Sequence, residues 1–274
     1  MKNHLSTIIL VLILITGLSL LLYPTVSDWW NSLHQTRAIA NYEEIMANLS
    51  EEDYSHLFSS ALEYNRQLAA IEFPLMYYDE VPGYNDLLNI NGNGIMGYIN
   101  IDKIKVQLPI YHGTSEGVLQ IAVGHVEGSS LPTGGEGTHC VLSAHRGIPS
   151  ARLFTDLDKI ELGDTFVLSV IDRTLTYQVD QILIVEPHQV DALYAVPGED
   201  YCTLVTCTPY GINSHRLLVR GSRVENEKQL ANIRVTADAA IIEPVLVAPF
   251  VAAPILLVLF IWLMLPKRKE RDES

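Results

Sequence analysis

The second half of the chain is a series of short runs in which apolar and polar side chains alternate. Alternation with a period of two is typical of β-strands that bury one face. Gly, Pro, Asn and Asp residues separate the runs and indicate turns. Strands are therefore predicted near 95–101, 107–111, 117–125, 139–145, 165–171, 175–185, 201–207 and 216–224. Short helices are predicted near 115–119, 155–160 and 190–194. Many short strands with few helices favour a mainly β fold that closes, or nearly closes, into a barrel.

Two long apolar stretches flank this region, at 5–23 and 241–265. Each is near the ~20 residues that a helix needs to span a bilayer. The first stretch predicts a transmembrane anchor (1–23), because no small-x-small cleavage site follows it. A cleaved signal peptide is the alternative. A basic tail at 266–274 follows the second predicted transmembrane helix and should stay in the cytoplasm. Two spans then place both termini in the cytoplasm and the intervening domain outside the cell membrane.

The segment 24–71 is predicted to be a helical hairpin, because it is rich in Ala, Leu, Glu and Gln. Ser50 is followed by three acidic residues, which is typical of a helix start. The break between the two helices is therefore predicted near Ser50.

An irregular segment, 72–93, separates the hairpin from the predicted barrel domain at 94–226, and a linker at 227–240 follows that domain. Loops of this length inside compact domains are often lids or binding loops, although a plain linker is equally consistent with the composition.

The net charge and the positions of the cysteines exclude some classes of function. A formal net charge of −14 argues against nucleic acid as a partner. No Cys/His spacing predicts zinc, so the sequence predicts neither a metal nor a cofactor. Cys140 and Cys202 lie inside strand runs, where a free cysteine behaves as a small apolar residue. A disulfide between them is the alternative if their strands are neighbours.

The third cysteine, Cys207, ends a predicted strand beside a turn that contains Pro and Gly. A thiol becomes a nucleophile when a base or a positive charge lies next to it. His145 also ends a predicted strand, and Arg216 begins the strand that follows Cys207. Together these residue types predict acyl transfer through a thioester. Other candidates for the base and the cation are His125, His139, Arg146 and Arg220.

The blocks TLVTC at 203–207 and SAHRG at 143–147, with an arginine nine positions after the cysteine, resemble the sortases, which are cysteine transpeptidases of Gram-positive surfaces. The resemblance covers roughly 94–224 and favours the class C, pilus-polymerising branch. It implies an eight-stranded sortase-type barrel, with Cys207 as nucleophile, His145 as general acid/base and Arg216 as the residue that stabilises substrate and oxyanion. It also implies cleavage of an LPxTG-like sorting motif between Thr and Gly, followed by transfer to a pilin lysine.

Class C sortases typically carry a lid anchored by an Asp-Pro-aromatic tripeptide. The segment 72–93 lacks this tripeptide. The nearest candidates for a lid anchor are Phe73, Tyr77, Tyr78 and Asp79.

Two other functions fit the same residues. A housekeeping sortase would transfer the acyl group to a peptidoglycan amine instead of a pilin lysine. A non-catalytic, membrane-tethered barrel would bind a partner without turnover. The predicted partners are therefore the sorting motif of a pilin or surface protein, an amine acceptor and the membrane, and not nucleic acid.

Overall fold

The computed structural model describes residues 2–226, and these form two units, 2–25 and 26–226. The predicted linker at 227–240, the second span at 241–265 and the basic tail at 266–274 lie outside the described residues.

The unit 2–25 is helical and belongs to α1 (Lys2–Met46). Among the described residues, the one helix that is long and apolar enough to cross a membrane is the part of α1 from Thr7 to Met46, in which an 18-residue window has a mean hydropathy of 2.4. An apolar helix of this length at the N-terminus is a candidate membrane anchor.

The second helix, α2 (Glu51–Leu68), begins at the predicted position. The Ser50 hydroxyl accepts a hydrogen bond from the Asp53 backbone N–H at 3.2 Å, and the Asp53 carboxylate accepts one from the Ser50 backbone N–H at 3.1 Å. This reciprocal pairing satisfies two N–H groups that a helix start otherwise leaves unpaired. The predicted break near Ser50 is therefore confirmed.

The C-terminal part of α1 packs against the rest of the second unit through buried side chains, among them Tyr42. The Tyr42 hydroxyl donates to the carbonyl of Met96 at 3.0 Å and accepts from the N–H of Ile171 at 2.8 Å. One phenol thus joins α1 to two separate parts of the β-structure.

Eight strands close into a barrel in the order β1-β2-β3-β4-β7-β8-β6-β5. They are β1 (Ile95–Ile101), β2 (Val106–His112), β3 (Val123–His125), β4 (Thr138–Ser143), β5 (Thr165–Val170), β6 (Arg173–Val185), β7 (Asp200–Thr208) and β8 (His215–Val224). The pairs β2/β3 and β4/β7 are parallel, and the other pairs are antiparallel. The predicted mainly β, eight-stranded barrel is confirmed.

The third strand is shorter than predicted, because the first half of 117–125 is helical. The backbone N–H groups of Gln120 and Ala122 donate to the carbonyls of Glu116 and Val118, which extends the helical turn α3 (Glu116–Leu119). Only Val123–His125 then remains to pair with the neighbouring strands. The predicted helix at 115–119 is confirmed, and the predicted helices at 155–160 and 190–194 are the short 3-10 turns Leu157–Lys159 and Asp191–Leu193.

The barrel interior is filled by large side chains, among them Phe154, Phe166 and Tyr177, each at most 1% exposed. Phe166 and Tyr177 stack with ring centroids 5.6 Å apart. Burying a side chain of this kind contributes about 2 kcal/mol each. The closely packed interior holds the strand ends in fixed positions.

Candidate active site

Cys207 is the last residue but one of β7. It lies level with His145, which is two positions beyond the end of β4. In the parallel β4/β7 pair, Ser143 lies opposite Val205. Beyond that pair, the Ala144 N–H donates to the Val205 carbonyl at 3.2 Å, and the Thr206 hydroxyl donates to the Ala144 carbonyl at 2.8 Å. This register therefore brings His145 level with Cys207.

Arg216 lies on β8, on the side of Cys207 opposite to His145. In the antiparallel β7/β8 pair, Cys207 and Arg216 are direct partners. Directly opposed residues of an antiparallel pair point to the same face, with Cβ atoms about 4.5–5.5 Å apart. The three residues thus lie side by side at the ends of adjacent strands, in the order β4, β7, β8, with His145 two positions beyond the end of β4.

All three side chains are on the outer face of the sheet. Cys202 and Leu204 of β7 point inward and are completely buried, so Cys207, at odd spacing from them, points outward. Cys207 is partly buried, the His145 side chain is 26% exposed, and Arg216 is partly buried. Small reactants therefore have access to the thiol while the strands hold it in place.

The Arg216 guanidinium is oriented by backbone carbonyls. Its Nη1 donates to the carbonyls of Asn213 and His215, at 3.2 and 3.1 Å. Within residues 2–226, Arg216 forms no ion pair with a carboxylate. Its positive charge is therefore available to an oxygen that develops negative charge.

Glu116 lies beside His145 and was not among the residues predicted from the sequence. Its Oε1 is 3.5 Å from the Nε2 of His145. Hydrogen bonds from Gln120 and, second, from His145 lower the pKa of the Glu116 carboxyl. The sequence shows only an acid in a short helix, and nothing local indicates that α3 lies next to the end of β4.

The alternative histidines have structural partners. His125 is completely buried, with Nδ1 2.9 Å from the Tyr84 hydroxyl and Nε2 2.9 Å from the Ser130 carbonyl. His139 is 1% exposed, with Nε2 2.7 Å from the Thr203 hydroxyl. Both imidazoles are engaged within the fold, away from Cys207.

The alternative arginines are paired with acids. Arg220 donates two hydrogen bonds to the carboxylate of Asp180, at 3.0 and 2.9 Å, and its guanidinium stacks over the Tyr201 ring. Arg146 forms an ion pair with Asp158. Paired guanidinium groups are less able to bind a substrate oxygen than the Arg216 group.

A cavity of about 460 Å³ opens beside the turn that follows Cys207. Its lining is mostly apolar and includes Pro209, Tyr210 and Ile184. A cavity of this size can accommodate apolar side chains of a peptide.

The proposed lid segment, 72–93, packs against the connection between β3 and β4. At Gly128, an added Cβ would lie 2.4 Å from the Pro74 carbonyl oxygen. Within residues 2–226, no hydrogen bond, ion pair or ring contact joins the lid candidates to Cys207, His145 or Arg216. The lid candidates Phe73, Tyr77, Tyr78 and Asp79 are all exposed. Their role as a lid stays a prediction.

A family model for the sortase domain matches residues 99–224. Sortase C1 from Streptococcus agalactiae is 50% identical, and the match covers 70% of this chain and 100% of that one, with a TM-score of 0.65. The chain belongs to the sortase family. Sortase C from Streptococcus pneumoniae is 42% identical, with coverages of 69% and 97% and a TM-score of 0.62.

More distant sortases match as well. Sortase SrtE1 from Streptomyces coelicolor is 28% identical over 223 residues, which are 77% of this chain and 54% of that protein. Sortase SrtE2 from the same organism is 35% identical over 108 residues, 36% of this chain and 42% of that protein. The chain thus spans about half the length of these curated relatives. Members of the family are cysteine transpeptidases that generally use LPXTG-type motifs and amine acceptors.

Proposed function

We propose that this sortase is a membrane-anchored transpeptidase that cleaves an LPxTG-like motif between Thr and Gly and transfers the acyl group to a pilin lysine. The observation that carries the proposal is the alignment of His145, Cys207 and Arg216 at the ends of adjacent strands, on one outward face. A nucleophile, a base and a fixed cation in one row are what acyl transfer requires.

In the first half-reaction, the Cys207 thiolate attacks the threonine carbonyl carbon. Arg216 donates hydrogen bonds to the oxygen, which gains negative charge in the tetrahedral intermediate. His145, as imidazolium, gives its proton to the glycine nitrogen when the C–N bond breaks. The products are a thioester on Cys207 and a peptide with a free amine.

In the second half-reaction, a lysine amine attacks the thioester carbon. His145 takes a proton from the amine, and the C–S bond breaks to release the thiolate. Pilin lysine as the acceptor is supported by likeness to sortases of the C type, one of which, from Streptococcus pneumoniae, has pilin substrate specificity.

The proposed location rests on the sequence and on α1. The N-terminal helix is a candidate anchor. With a second span at 241–265, both termini would be cytoplasmic and the barrel extracellular, where surface proteins are processed.

The test uses the full-length chain in detergent and a synthetic LPETG peptide. Wild-type protein should gain the mass of the acyl fragment and release the glycine-containing product. Cys207→Ala should abolish both, because no other thiol faces the site. Cys202→Ala removes a buried thiol from the same strand and should still form the thioester.

Cleavage of the peptide by Cys207→Ala would overturn the proposal. A wild-type chain that never acquires the acyl mass would favour the non-catalytic barrel. A competition between a lysine side chain and a peptidoglycan cross-bridge peptide decides between pilus polymerisation and wall anchoring, since preference for the cross-bridge would exclude the former.

A further inference from the structure

Four side chains form a row across the end of the sheet. The strands β3, β4, β7 and β8 are neighbours in that order, and α3 immediately precedes β3. Glu116 lies beside His145, and His145, Cys207 and Arg216 lie at the ends of the neighbouring strands β4, β7 and β8, so the four residues follow one another in that order. Arg216, which the proposed function assigns to the donor carbonyl, lies on one side of the thiol. Glu116 lies on the other side, beyond the base.

The Glu116 carboxylate is both ionised and accessible. Its side chain is 70% exposed. Its Oε1 accepts a hydrogen bond from Gln120 at 3.0 Å and faces His145, and within residues 2–226 its Oε2 accepts none. Because those hydrogen bonds lower the pKa of the Glu116 carboxyl, it carries a full negative charge at neutral pH.

The backbone that carries Glu116 is held closely against the sheet. A Cβ placed on Gly124 of β3 would lie 2.4 Å from the Gly113 carbonyl oxygen and 3.2 Å from the Leu119 side chain. The N–H groups of Val118 and Leu119 donate to the Ser115 carbonyl. The position of Glu116 beside His145 is therefore a property of the fold and does not depend on its long side chain alone.

We propose that Glu116 binds the ammonium group of the amine acceptor and so selects cationic acceptors over neutral ones. This inference rests on the proposed transpeptidase function and names the position from which the acceptor arrives. A lysine side chain has a pKa of about 10.4, so it reaches the thioester as a cation. A fixed carboxylate beside the base raises the local concentration of such a cation.

Two protons leave the ammonium group of the acceptor during the transfer. The acceptor enters as R–NH₃⁺ held by Glu116, and His145, as neutral imidazole, removes one proton. The resulting R–NH₂ attacks the thioester carbon, the C–S bond breaks, and the second proton passes to water as the amide forms. The site ends as a Cys207 thiolate beside a His145 imidazolium, ready for the next donor.

The experiment compares two acceptors on the same thioester. Full-length chain in detergent receives an LPETG peptide with either Nα-acetyl-lysine amide, a cation at pH 7, or hydroxylamine, which is largely uncharged. In Glu116→Gln, the KM for the lysine acceptor should rise about three- to fivefold, as expected for a solvent-exposed ion pair. The ratio of lysine product to hydroxamate should fall by the same factor. An effect that acts through His145 would change both acceptors together, so the ratio isolates the role of the charge.

Glu186→Gln is the matched control. Glu186 is 58% exposed and its Oε2 lies 3.5 Å from the Nδ1 of His188. It follows Val185, which pairs with Arg216, so it repeats the Glu–His contact on the side of Arg216 away from Cys207. This variant should keep the wild-type ratio. An unchanged ratio in Glu116→Gln, or equal losses with both acceptors, would overturn the inference while leaving the transpeptidase intact. Failure of the wild-type chain to form any hydroxamate would instead overturn the transpeptidase itself, and the acceptor role with it.

Discussion

At the scale of single residues, the three cysteines differ through their surroundings. Cys140 and Cys202 lie opposite each other on the parallel strands β4 and β7, and both point into the barrel. Burial raises the pKa of the Cys202 thiol well above its ordinary value, so this thiol stays protonated. Cys207, five residues further along β7, points outward and is partly exposed.

This contrast predicts selective alkylation. In the native full-length chain, iodoacetamide should modify Cys207 alone, because the other two thiols are at most 2% exposed. After denaturation without reductant, all three thiols should react. Intact mass spectrometry counts the adducts, and Cys207→Ala should lose the single native adduct. Only one reactive thiol in the denatured chain would show that Cys140 and Cys202 are joined by a disulfide.

At the scale of elements, the parallel β4/β7 pair decides the distance between His145 and Cys207. The last ladder pair is Ser143 with Val205. Beyond it, the Thr206 hydroxyl, on a side chain 1% exposed, is bonded to the Ala144 carbonyl. One buried hydroxyl thus continues the pairing between the strands up to the proposed base and nucleophile.

Thr206→Val tests this bond with little change in shape. The valine leaves the buried Ala144 carbonyl with one fewer donor, so the free energy of unfolding should fall by about 1–2 kcal/mol. The rate of thioester formation should fall as well, because the base is less firmly placed. Thr165→Val, at an exposed position of β5, is the control. Chemical denaturation and acyl-enzyme mass give the two readouts. A normal acylation rate in a destabilised Thr206→Val would show that this bond does not position His145.

At the scale of the whole molecule, the barrel domain encloses several polar groups. Besides His139, the half-buried His112 has its Nδ1 2.9 Å from the Gly94 carbonyl and its Nε2 2.8 Å from the Leu87 carbonyl, and its neutral ring donates to one of them. Desolvation by burial lowers the pKa of both imidazoles below the ordinary value of 6.5. Both are therefore neutral in the folded chain at a pH where the unfolded chain is partly protonated.

These two histidines make the stability of the folded chain depend on pH. Below about pH 6.5 the unfolded chain binds more protons at these histidines than the folded chain does, so stability falls as the pH falls. Above pH 7 the contribution is fully present. The unfolding temperature of the full-length chain, followed by near-ultraviolet circular dichroism, should be lower at pH 5 than at pH 7. In His139→Gln the difference between the two pH values should be smaller. An equal difference in this variant would exclude His139 as a source.

The sequence was sufficient for the features that depend on local patterns. Apart from β3, the strand positions and the start of α2 at Ser50 were predicted correctly, because alternation, capping and turn residues act over a few positions. The strand pattern predicted a closed or nearly closed barrel, and the family resemblance implied the eight-stranded sortase type. The choice of Cys207, His145 and Arg216 came from strand-end placement together with the family resemblance. It stays a prediction until the Cys207→Ala test is made.

The tertiary structure alone decided which strand ends meet. The parallel pairing of β4 with β7 joins residues about 60 positions apart, and the position of α3 beside β4 brings Glu116 to His145. The sequence pattern also extended β3 too far, because 117–119 belong to α3 and 120–122 form the turn that follows it. Local patterns specify elements, whereas long-range contacts are specified by how all the buried faces pack together in one barrel. That is why the row from Glu116 to Arg216 appears in the fold and not in the order of residues.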